Sequence, residues 1–342
     1  MVQMSDTVLV TGVSGFLGGH VALALLSKGF AVRGSLRDMT RADAVRSSLR
    51  DAGADTSRLE FCPLDLLRED GWSDATRGCR FVQHTASPFV LTMPKDENDL
   101  IEPAVAGTRR AVQAGLDAGA ERIVVTSSVA AIDGGHTRYH RTLTASDWTE
   151  VDGPRVTAYT KSKTLAERKA WAIARRFGAT ERLAVINPGT MLGPLLGDDP
   201  GTSAVVIQRM LKGEMPMLPD LILPYVDVRD VSEAHVTAMT AERAAGKRTI
   251  VTNAAIPLIE IAGILRDRMG AAAAKVPTRR MPSWMARAFA LFDRSLRDGM
   301  TYLDVRRSYD VGAGSALLGR ALLSTEDAVQ ATADSLIARR LV

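Results

Sequence analysis

Short runs of apolar and β-branched residues alternate with segments of helical periodicity over the first half of the chain. The first run, Thr7–Val10, precedes a helical pattern at Phe16–Ser27, and a longer helical pattern occupies Asp99–Ala118. This alternation predicts an α/β protein with a doubly wound parallel sheet, covered by helices on both faces, whose ligands bind at the carboxyl ends of the strands. The further predicted strands are Ala31–Leu36, Arg58–Cys62, Arg80–Ala86, Arg122–Ser127 and Arg182–Asn187.

The alternation ends after Asn187, where the chain becomes rich in Pro, Gly and Asp. We therefore predict a sheet domain of residues 1–187 and 225–256, to which Tyr225–Asp230 and Thr249–Thr252 return. A smaller, discontinuous and mostly helical domain of residues 188–224 and 257–342 is expected to bind the substrate. Within it Trp284, Phe289 and Phe292 have the spacing of a buried helix face, which predicts core packing.

Composition narrows the class of protein. The 342 residues include 43 basic and 39 acidic side chains in a mixed distribution, for a net charge of +4, so a nucleic-acid partner is not implied. The two cysteines form no C-x-x-C pair, and His136 and His140 have no clear third ligand, so no metal site is predicted. The start of the chain lacks a signal-peptide pattern, and no apolar run is long enough for a membrane span. A cytoplasmic protein without a membrane partner is expected.

A glycine-rich turn follows the first predicted strand. Its glycines, Gly12, Gly15 and Gly18, lie between a strand and a helix, where they allow a tight turn, close approach of the backbone to a pyrophosphate and a helix N-terminus directed at the negative charge. The spacing is G-x-x-G-x-x-G rather than G-x-G-x-x-G, and the strand–turn–helix context makes it a strong signal. The turn predicts dinucleotide contacts from Gly12, Ser14, Gly15, Phe16, Leu17 and Gly18.

The end of the second predicted strand bears on the choice of dinucleotide. Asp38 lies where an acid binding the ribose 2′-hydroxyl indicates NAD, whereas Arg37 beside it is suited to the additional phosphate of NADP. We predict NADPH/NADP⁺ as the cofactor, in preference to NADH.

Small and polar residues follow the next strands, at the edge where the cofactor is expected. Asp65 is placed to accept a hydrogen bond from the adenine amino group, although a turn or helix-cap role is equally compatible with the local sequence. The further cofactor contacts predicted at these strand ends are Leu66, Thr85, Ala86, Ser87 and Thr126.

Tyr159 and Lys163 stand four residues apart in a segment of good helix formers and so share a helix face. An ammonium about 4 Å from a phenol favours the phenolate by roughly 4 kcal/mol at an effective dielectric of 20, but by only about 1 kcal/mol in water. The pair is therefore expected to act in a cleft that excludes water. Ser128 is predicted to hydrogen-bond a substrate carbonyl oxygen beside the tyrosine.

The segments TGVSGFLGGHV, SLRD, LDLL, HTASPF, TSSVAAID, AYTKSKTLAE, INPGTMLGP and VDVRDVSEAH together resemble the extended short-chain dehydrogenase/reductases, over residues 7 to about 241. The likeness is to their dihydroflavonol reductase and cinnamoyl-CoA reductase branch, with its microbial aldehyde and ketone reductases. It implies a Rossmann-type fold and an NADPH-dependent reductase of small carbonyl substrates. It also implies Ser128, Tyr159 and Lys163 as catalytic residues, and Pro188 and Gly189 as a turn against the nicotinamide.

In the resembling family Arg37 contacts the 2′-phosphate, but a second basic contact expected near position 44 is absent because Ala44 stands there. Arg41 is a candidate replacement. The resemblance also implies that a homodimer can form through Asp99–Ala118 and Ala158–Phe177. The candidate substrate contacts are Phe89, Asp133, Met191 and Tyr225.

The sequence also bears on four other functions. A nucleotide-sugar dehydratase is disfavoured because Val129 and Ala130, rather than acids, follow Ser128; an epimerase remains an alternative, although Ile132 replaces its usual tyrosine. A non-enzymatic NADP(H)-binding redox sensor is the second alternative, and retention of the catalytic residues argues against it. A Ser–His hydrolase lacks the G-x-S-x-G elbow.

Overall fold

The computed structural model describes residues 6–87, 96–292 and 294–342. The strands in these residues are β1 (Thr7–Thr11), β2 (Ala31–Leu36), β3 (Leu59–Pro63), β4 (Phe81–His84), β5 (Arg122–Thr126), β6 (Leu183–Pro188), β7 (Thr190–Leu192), β8 (Leu218–Pro219), β9 (Ile222–Asp227), β10 (Arg248–Val251), β11 (Ala255–Pro257) and β12 (Arg280–Met281). The α-helices are α1 (Phe16–Ser27), α2 (Ala42–Asp51), α3 (Trp72–Thr76), α4 (Asn98–Asp117), α5 (Ala130–Asp133), α6 (Ala158–Arg176), α7 (Gly201–Lys212), α8 (Val228–Thr240), α9 (Leu258–Met269), α10 (Ser283–Phe289), α11 (Arg294–Gly299), α12 (Gly312–Leu318) and α13 (Thr325–Ala338).

The main sheet has seven strands within the described residues, in the spatial order β3-β2-β1-β4-β5-β6-β10. Every neighbouring pair is parallel. The order of strands reverses between β1 and β4, so a crevice opens at their carboxyl ends, where open α/β sheets bind ligands. The predicted doubly wound parallel sheet is confirmed.

Helices cover both faces of this sheet. Val8 and Val10 of β1 pack in a fully buried cluster with α1 and α8, whereas Leu9, between them, packs in a second cluster with α4 and α6. Successive side chains of a strand point to opposite faces, so the two clusters are the two apolar layers of one three-layer fold. The helices α4 and α6, which the resemblance assigned to a homodimer, lie side by side; the dimer itself stays a prediction.

A second, three-stranded sheet forms from β11, β9 and β7. Of the two segments predicted to return to the sheet domain, Thr249–Thr252 overlaps β10 of the main sheet, whereas Tyr225–Asp227 belongs to β9 of this second sheet. The residues Val228–Asp230 begin α8 instead. The predicted domain boundaries stay a prediction. A separate apolar cluster joins this sheet to α7, α9 and α13.

Ser324 caps α13, since its hydroxyl accepts a hydrogen bond from the N–H of Asp327 at 3.0 Å. The predicted burial of Trp284, Phe289 and Phe292 was wrong, because these side chains are 69%, 51% and 88% exposed. The helix α10 is only seven residues long and buries Ala286 alone, and it ends before Phe292.

Among the residues that the structure describes, no helix has the length and hydropathy needed to cross a membrane. The same residues contain no group of three or more His, Cys, Asp or Glu side chains arranged to hold a metal ion.

Gly18→Ala is expected to destabilise the fold by about 1–3 kcal/mol, the range for overpacking a closed site. A methyl group there would overlap the Gly12 carbonyl oxygen and lie 2.9 Å from Thr85 Oγ1. Urea denaturation measures the difference. The matched control is Gly263→Ala in α9, where a methyl group meets only Arg266 Nη2 at 3.9 Å; a gain of about 0.5–1 kcal/mol is expected there. Unchanged stability of Gly18→Ala would contradict the close packing of the turn.

Candidate active site

The glycine-rich turn lies at the carboxyl edge of the main sheet, between β1 and α1. Gly12 has a φ of +70°, and its carbonyl oxygen accepts a hydrogen bond from the N–H of Gly15 at 2.9 Å. Helix α1 begins directly after Gly15 without a side-chain cap, so its first N–H groups suit an anion. The side chain of Leu17 packs in the core. All six residues predicted to contact the dinucleotide, Gly12, Ser14, Gly15, Phe16, Leu17 and Gly18, lie in this turn or the first turn of α1.

Arg37 and Asp38, the two rival signals for the nucleotide, are both exposed at the end of β2. The carboxylate of Asp38 accepts hydrogen bonds from the N–H and the hydroxyl of Thr40, at 3.0 and 2.7 Å. These bonds lower the pKa of Asp38. Its carboxylate is thus held by its own loop, whereas Arg37 extends from the strand end into solvent.

Asp65 follows β3, and its side chain stabilises the turn there, which was the alternative to a contact with adenine. Its Oδ1 accepts a hydrogen bond from the N–H of Leu67 at 2.9 Å, a bond that leaves Oδ2 unused. The carbonyl oxygen of Leu66 accepts from Arg110 Nη1 at 2.5 Å, which fixes this loop against α4.

The residues after β4 form one wall of the crevice. The hydroxyl of Thr85 donates to the Thr11 carbonyl oxygen at 2.6 Å, and the N–H of Ala86 donates to Thr11 Oγ1 at 3.1 Å. Gly12 and Ala86 approach so closely that a methyl group on Gly12 would lie 2.9 Å from the Ala86 Cβ. Ser87 is half-buried beside them. Small residues thus line this part of the crevice, and their contact with the cofactor stays a prediction.

The side chain of Thr126 faces a buried histidine. The amide nitrogen of Gln83 donates to the His235 carbonyl oxygen at 2.9 Å, so its oxygen lies on the other side, 2.8 Å from His235 Nδ1. Nδ1 therefore carries the proton, and Nε2 accepts from the Thr126 hydroxyl at 2.9 Å. His84 is equally buried, with its Nδ1 2.9 Å from Thr11 Oγ1. Burial lowers the pKa of both histidines to about 3.

Pro188 and Gly189 form a tight connection between β6 and β7. The Pro188 carbonyl oxygen accepts from the N–H of Val129 at 3.0 Å, and the N–H of Gly189 donates to the Val251 carbonyl oxygen at 3.2 Å. A methyl group on Gly189 would overlap Thr252 Oγ1 and lie 2.7 Å from the Pro224 carbonyl oxygen. The turn is therefore held against the segment that follows Ser128.

Ser128, Tyr159 and Lys163 come together at the ends of β5 and α6. Ser128 is 8% exposed, and its Oγ accepts from the N–H of Ala130 at 3.1 Å. Thr157 caps α6, so Tyr159 lies in the first turn of that helix, close enough to Ser128 for the serine to lower its pKa. Lys163 Nζ lies 5.8 Å from the centroid of the Tyr159 ring.

The electrostatics of this trio differ from the sequence-based expectation. Burial raises the pKa of Tyr159, the hydrogen bond with Ser128 lowers it, and the charge of Asp133 raises it. Burial lowers the pKa of Lys163 to about 8. Lys163 lies over the tyrosine ring, and burial is the largest influence on the pKa of Tyr159.

A family model described as "NAD dependent epimerase/dehydratase family" matches residues 8–253, well over half of the chain. The chain belongs to this family. Its relatives include cinnamoyl-CoA reductase 1 of Petunia hybrida, 34% identical over 245 residues that make up 71% of each chain. The predicted membership in the extended short-chain dehydrogenase/reductases is confirmed, and with it the predicted class of enzyme, an NAD(P)-dependent oxidoreductase.

Solved structures share the fold over almost the whole chain. The yeast methylglyoxal/isovaleraldehyde reductase Gre2, complexed with NADPH, has a TM-score of 0.80 at 23% identity and covers 98% of this chain and 100% of its own. Gre2 from Candida albicans has a TM-score of 0.78 at 25% identity and covers 98% and 99%. The likeness extends beyond residue 253, through the helical segment that follows the family match.

Asp133, a candidate substrate contact, forms a buried ion pair with Arg307. Its carboxylate is 1% exposed, and Oδ2 accepts from Arg307 Nη1 at 3.2 Å and from the Tyr309 hydroxyl at 2.6 Å. The Arg307 guanidinium lies 4.3 Å from the centroid of the Tyr302 ring. Burial raises the pKa of Asp133, although Arg307 lowers it. The ion pair fastens the segment around residues 301–309 to α5, and the expected contact of Asp133 with substrate stays a prediction.

Of the other candidate substrate contacts, Tyr225 and Met191 pack in or against apolar cores. Tyr225 is 3% exposed and packs in the apolar core of the second sheet, where burial raises its pKa, so its side chain is part of that core. Met191 is half-buried and packs against the core of the main sheet. Phe89 lies outside the described residues.

Sequence reasoning missed a buried carboxylate beside Ser128, Tyr159 and Lys163. Glu167 is fully buried and forms an ion pair with Arg248. One signal was available: Glu167 stands four residues after Lys163 and eight after Tyr159, on the same helix face. No local signal pointed to Arg248, which is 81 residues away along the chain.

Asp133→Asn is expected to lower the free energy of unfolding by about 3–5 kcal/mol, because Arg307 would remain buried without a counter-charge. Chemical denaturation measures the loss. The control is Asp70→Asn, which breaks the surface pair with Arg68, where both side chains are more than 70% exposed; a change of less than about 1 kcal/mol is expected. Equal effects of the two substitutions would show that the Asp133–Arg307 pair does not anchor the segment.

Proposed function

We propose that the protein is an NADPH-dependent carbonyl reductase, which reduces a ketone or an aldehyde to an alcohol with Tyr159 as the proton donor. The observation that carries this proposal is the placement of Ser128 beside Tyr159, with Lys163 over the tyrosine ring, at the same sheet edge as the glycine-rich turn. The reaction is reversible in principle, with Tyr159 accepting the proton in the oxidative direction.

The described residues fit a nicotinamide dinucleotide. The uncapped start of α1 and the positive φ of Gly12 suit the pyrophosphate, and methyl groups at Gly12 or Gly18 would close the crevice that the dinucleotide enters. Oδ2 of Asp65 is available to the adenine amino group, and Pro188-Gly189 and the small residues after β4 would border the nicotinamide side. The cofactor supplies the hydride; the protein binds and orients it.

NADPH is favoured over NADH by the placement of the two rival residues. Arg37 is exposed with its guanidinium unrestrained by any hydrogen bond in the part of the chain that the structure describes, so it suits a phosphate. The Asp38 carboxylate already accepts hydrogen bonds from Thr40, which makes a ribose hydroxyl a less favourable partner for it. The yeast neighbour of the same fold was crystallised with NADPH, which is consistent with this choice.

Each residue of the trio has a distinct role in the proposed reduction. The Tyr159 hydroxyl donates its proton to the carbonyl oxygen, and Ser128 donates a hydrogen bond to the same oxygen. Below pH 8 the Lys163 ammonium stabilises the phenolate that Tyr159 becomes, in a site dry enough to strengthen that attraction. The residues 188–224 and 257–342 are proposed to enclose the substrate. Reduction, rather than epimerisation, is supported by the names of the curated relatives.

Tyr159→Phe is expected to lower kcat for carbonyl reduction by roughly 10²–10⁴-fold, the usual contribution of a general acid. The Kd for NADPH, measured by fluorescence titration, should change by less than about twofold, since only the proton donor is lost. The matched control is Tyr139→Phe, which removes a hydroxyl that donates to the Asp133 carbonyl oxygen; its kcat should stay within about threefold of the parent. Reduction by Tyr159→Phe at the parental rate would overturn the mechanism.

Arg37→Ala is expected to raise the KM for NADPH by about 10- to 100-fold, the worth of a charge-assisted hydrogen bond to a phosphate. The KM for NADH should change by less than about twofold, because NADH lacks that phosphate. Arg50→Ala, at an exposed arginine of the adjacent helix α2, is the control and should leave both constants unchanged. Equal changes for the two cofactors would mean that Arg37 does not contact the phosphate.

A further inference from the structure

A single carboxylate, that of Glu167, binds the ends of two central strands to the catalytic helix. Its side chain is fully buried. Oε2 accepts from the Ser127 hydroxyl at 2.6 Å and from Asn187 Nδ2 at 2.9 Å, and Oε1 accepts from Trp171 Nε1 at 3.2 Å. Ser127 directly follows β5, and Asn187 lies near the end of β6.

The charge of Glu167 is balanced by Arg248 at the start of β10. Arg248 Nε lies 2.5 Å from Oε1, and the arginine side chain is only 7% exposed. The same guanidinium lies 3.7 Å from the centroid of the Trp148 ring and donates to the carbonyl oxygens of Ala145 and Asp147, at 2.8 and 2.5 Å. The ion pair thereby also holds the loop that follows α5.

The contacts of Glu167 fix the backbone on both sides of Ser128. On one side, the preceding residue, Ser127, donates its hydroxyl to the carboxylate. On the other, Asn187 Nδ2, which already donates to Glu167, also donates to the Ser128 carbonyl oxygen at 3.1 Å. The peptide that carries the catalytic hydroxyl is thus attached to Glu167 by one direct and one relayed hydrogen bond.

Glu167 belongs to the helix that carries the other two members of the trio. It stands one turn after Lys163 and two turns after Tyr159 in α6. We propose that Glu167 is the positioning residue of the active site, and that it sets the separation of Ser128 from Tyr159 and Lys163 through Ser127 and Asn187. This inference rests on the proposed function, because it assigns the geometry of the same trio.

This role requires a carboxylate at position 167, because an amide could not accept hydrogen bonds from all the donors that surround it. Ser127, Asn187, Trp171 and Arg248 all donate to its two oxygens, and a carboxylate offers about four lone-pair positions. Glutamine in its place would offer one acceptor oxygen and leave Arg248 buried without a counter-charge, which endangers folding. A test is therefore better made at Ser127, where one hydrogen bond is removed and the ion pair is kept.

The test is a double-mutant cycle of Ser127→Ala and Ser128→Ala, read out as kcat in NADPH-dependent carbonyl reduction. Ser127→Ala is expected to lower kcat by about tenfold in the parental background and to leave the KM for NADPH within about twofold. In the Ser128→Ala background the same substitution should change kcat by less than about twofold, since the hydroxyl that it positions is gone. The matched control, Ser232→Ala, removes a buried hydroxyl that donates to the Arg229 carbonyl oxygen in α8, and should leave kcat unchanged.

The outcomes separate this inference from the proposed function. An equal loss of kcat in both backgrounds would show a general structural effect and overturn the positioning role, as would no loss in either. Absence of carbonyl reduction by the parent would overturn the proposed function instead. Hydrogen exchange of the 127–133 peptide then decides the inference: faster exchange in Ser127→Ala than in Ser232→Ala supports the attachment to Glu167, and equal exchange overturns it.

Discussion

Exclusion of water from charged groups at one edge of the main sheet is the constraint on which the site depends. Glu167 is paired there with Arg248, and Asp133 with Arg307, in buried ion pairs. Lys163 has no ion-pair partner within the described residues, and burial alone lowers its pKa. Because the neighbouring charges are already balanced, the Lys163 ammonium is free to stabilise the anion that the proposed mechanism forms at Tyr159.

The fold and the cofactor edge were predictable because their signals are local. The strand, glycine turn and helix at Gly12–Gly18 adjoin one another in sequence, and each demands particular residue types at fixed spacing. Tyr159 and Lys163 share a helix face for the same reason. The alternation of strands and helices was enough to predict the parallel sheet. It could not show which strands pair with β9, because pairing depends on contacts distant in sequence.

The role of Asp133 and the exposure of the aromatic residues near α10 depend on contacts that no local sequence pattern reveals. Asp133 looks like a loop acid next to a catalytic serine, and only folding brings Arg307, 174 residues later, to its carboxylate. The spacing of Trp284, Phe289 and Phe292 describes a helix face, but periodicity cannot tell whether a partner surface exists. The helix α10 is short, and among the described residues no partner surface covers these aromatic side chains, so they stay exposed.

The dryness of this edge also determines how the protein responds to acid. His84 and His235 stay neutral in the folded state, where burial lowers their pKa from an ordinary 6.5 to about 3. Between these two pH values the unfolded chain binds protons that the folded protein does not, so folding becomes less favourable as the pH falls from 6.5 towards 3. The two buried histidines therefore destabilise the folded state progressively as the pH falls from 6.5 towards 3.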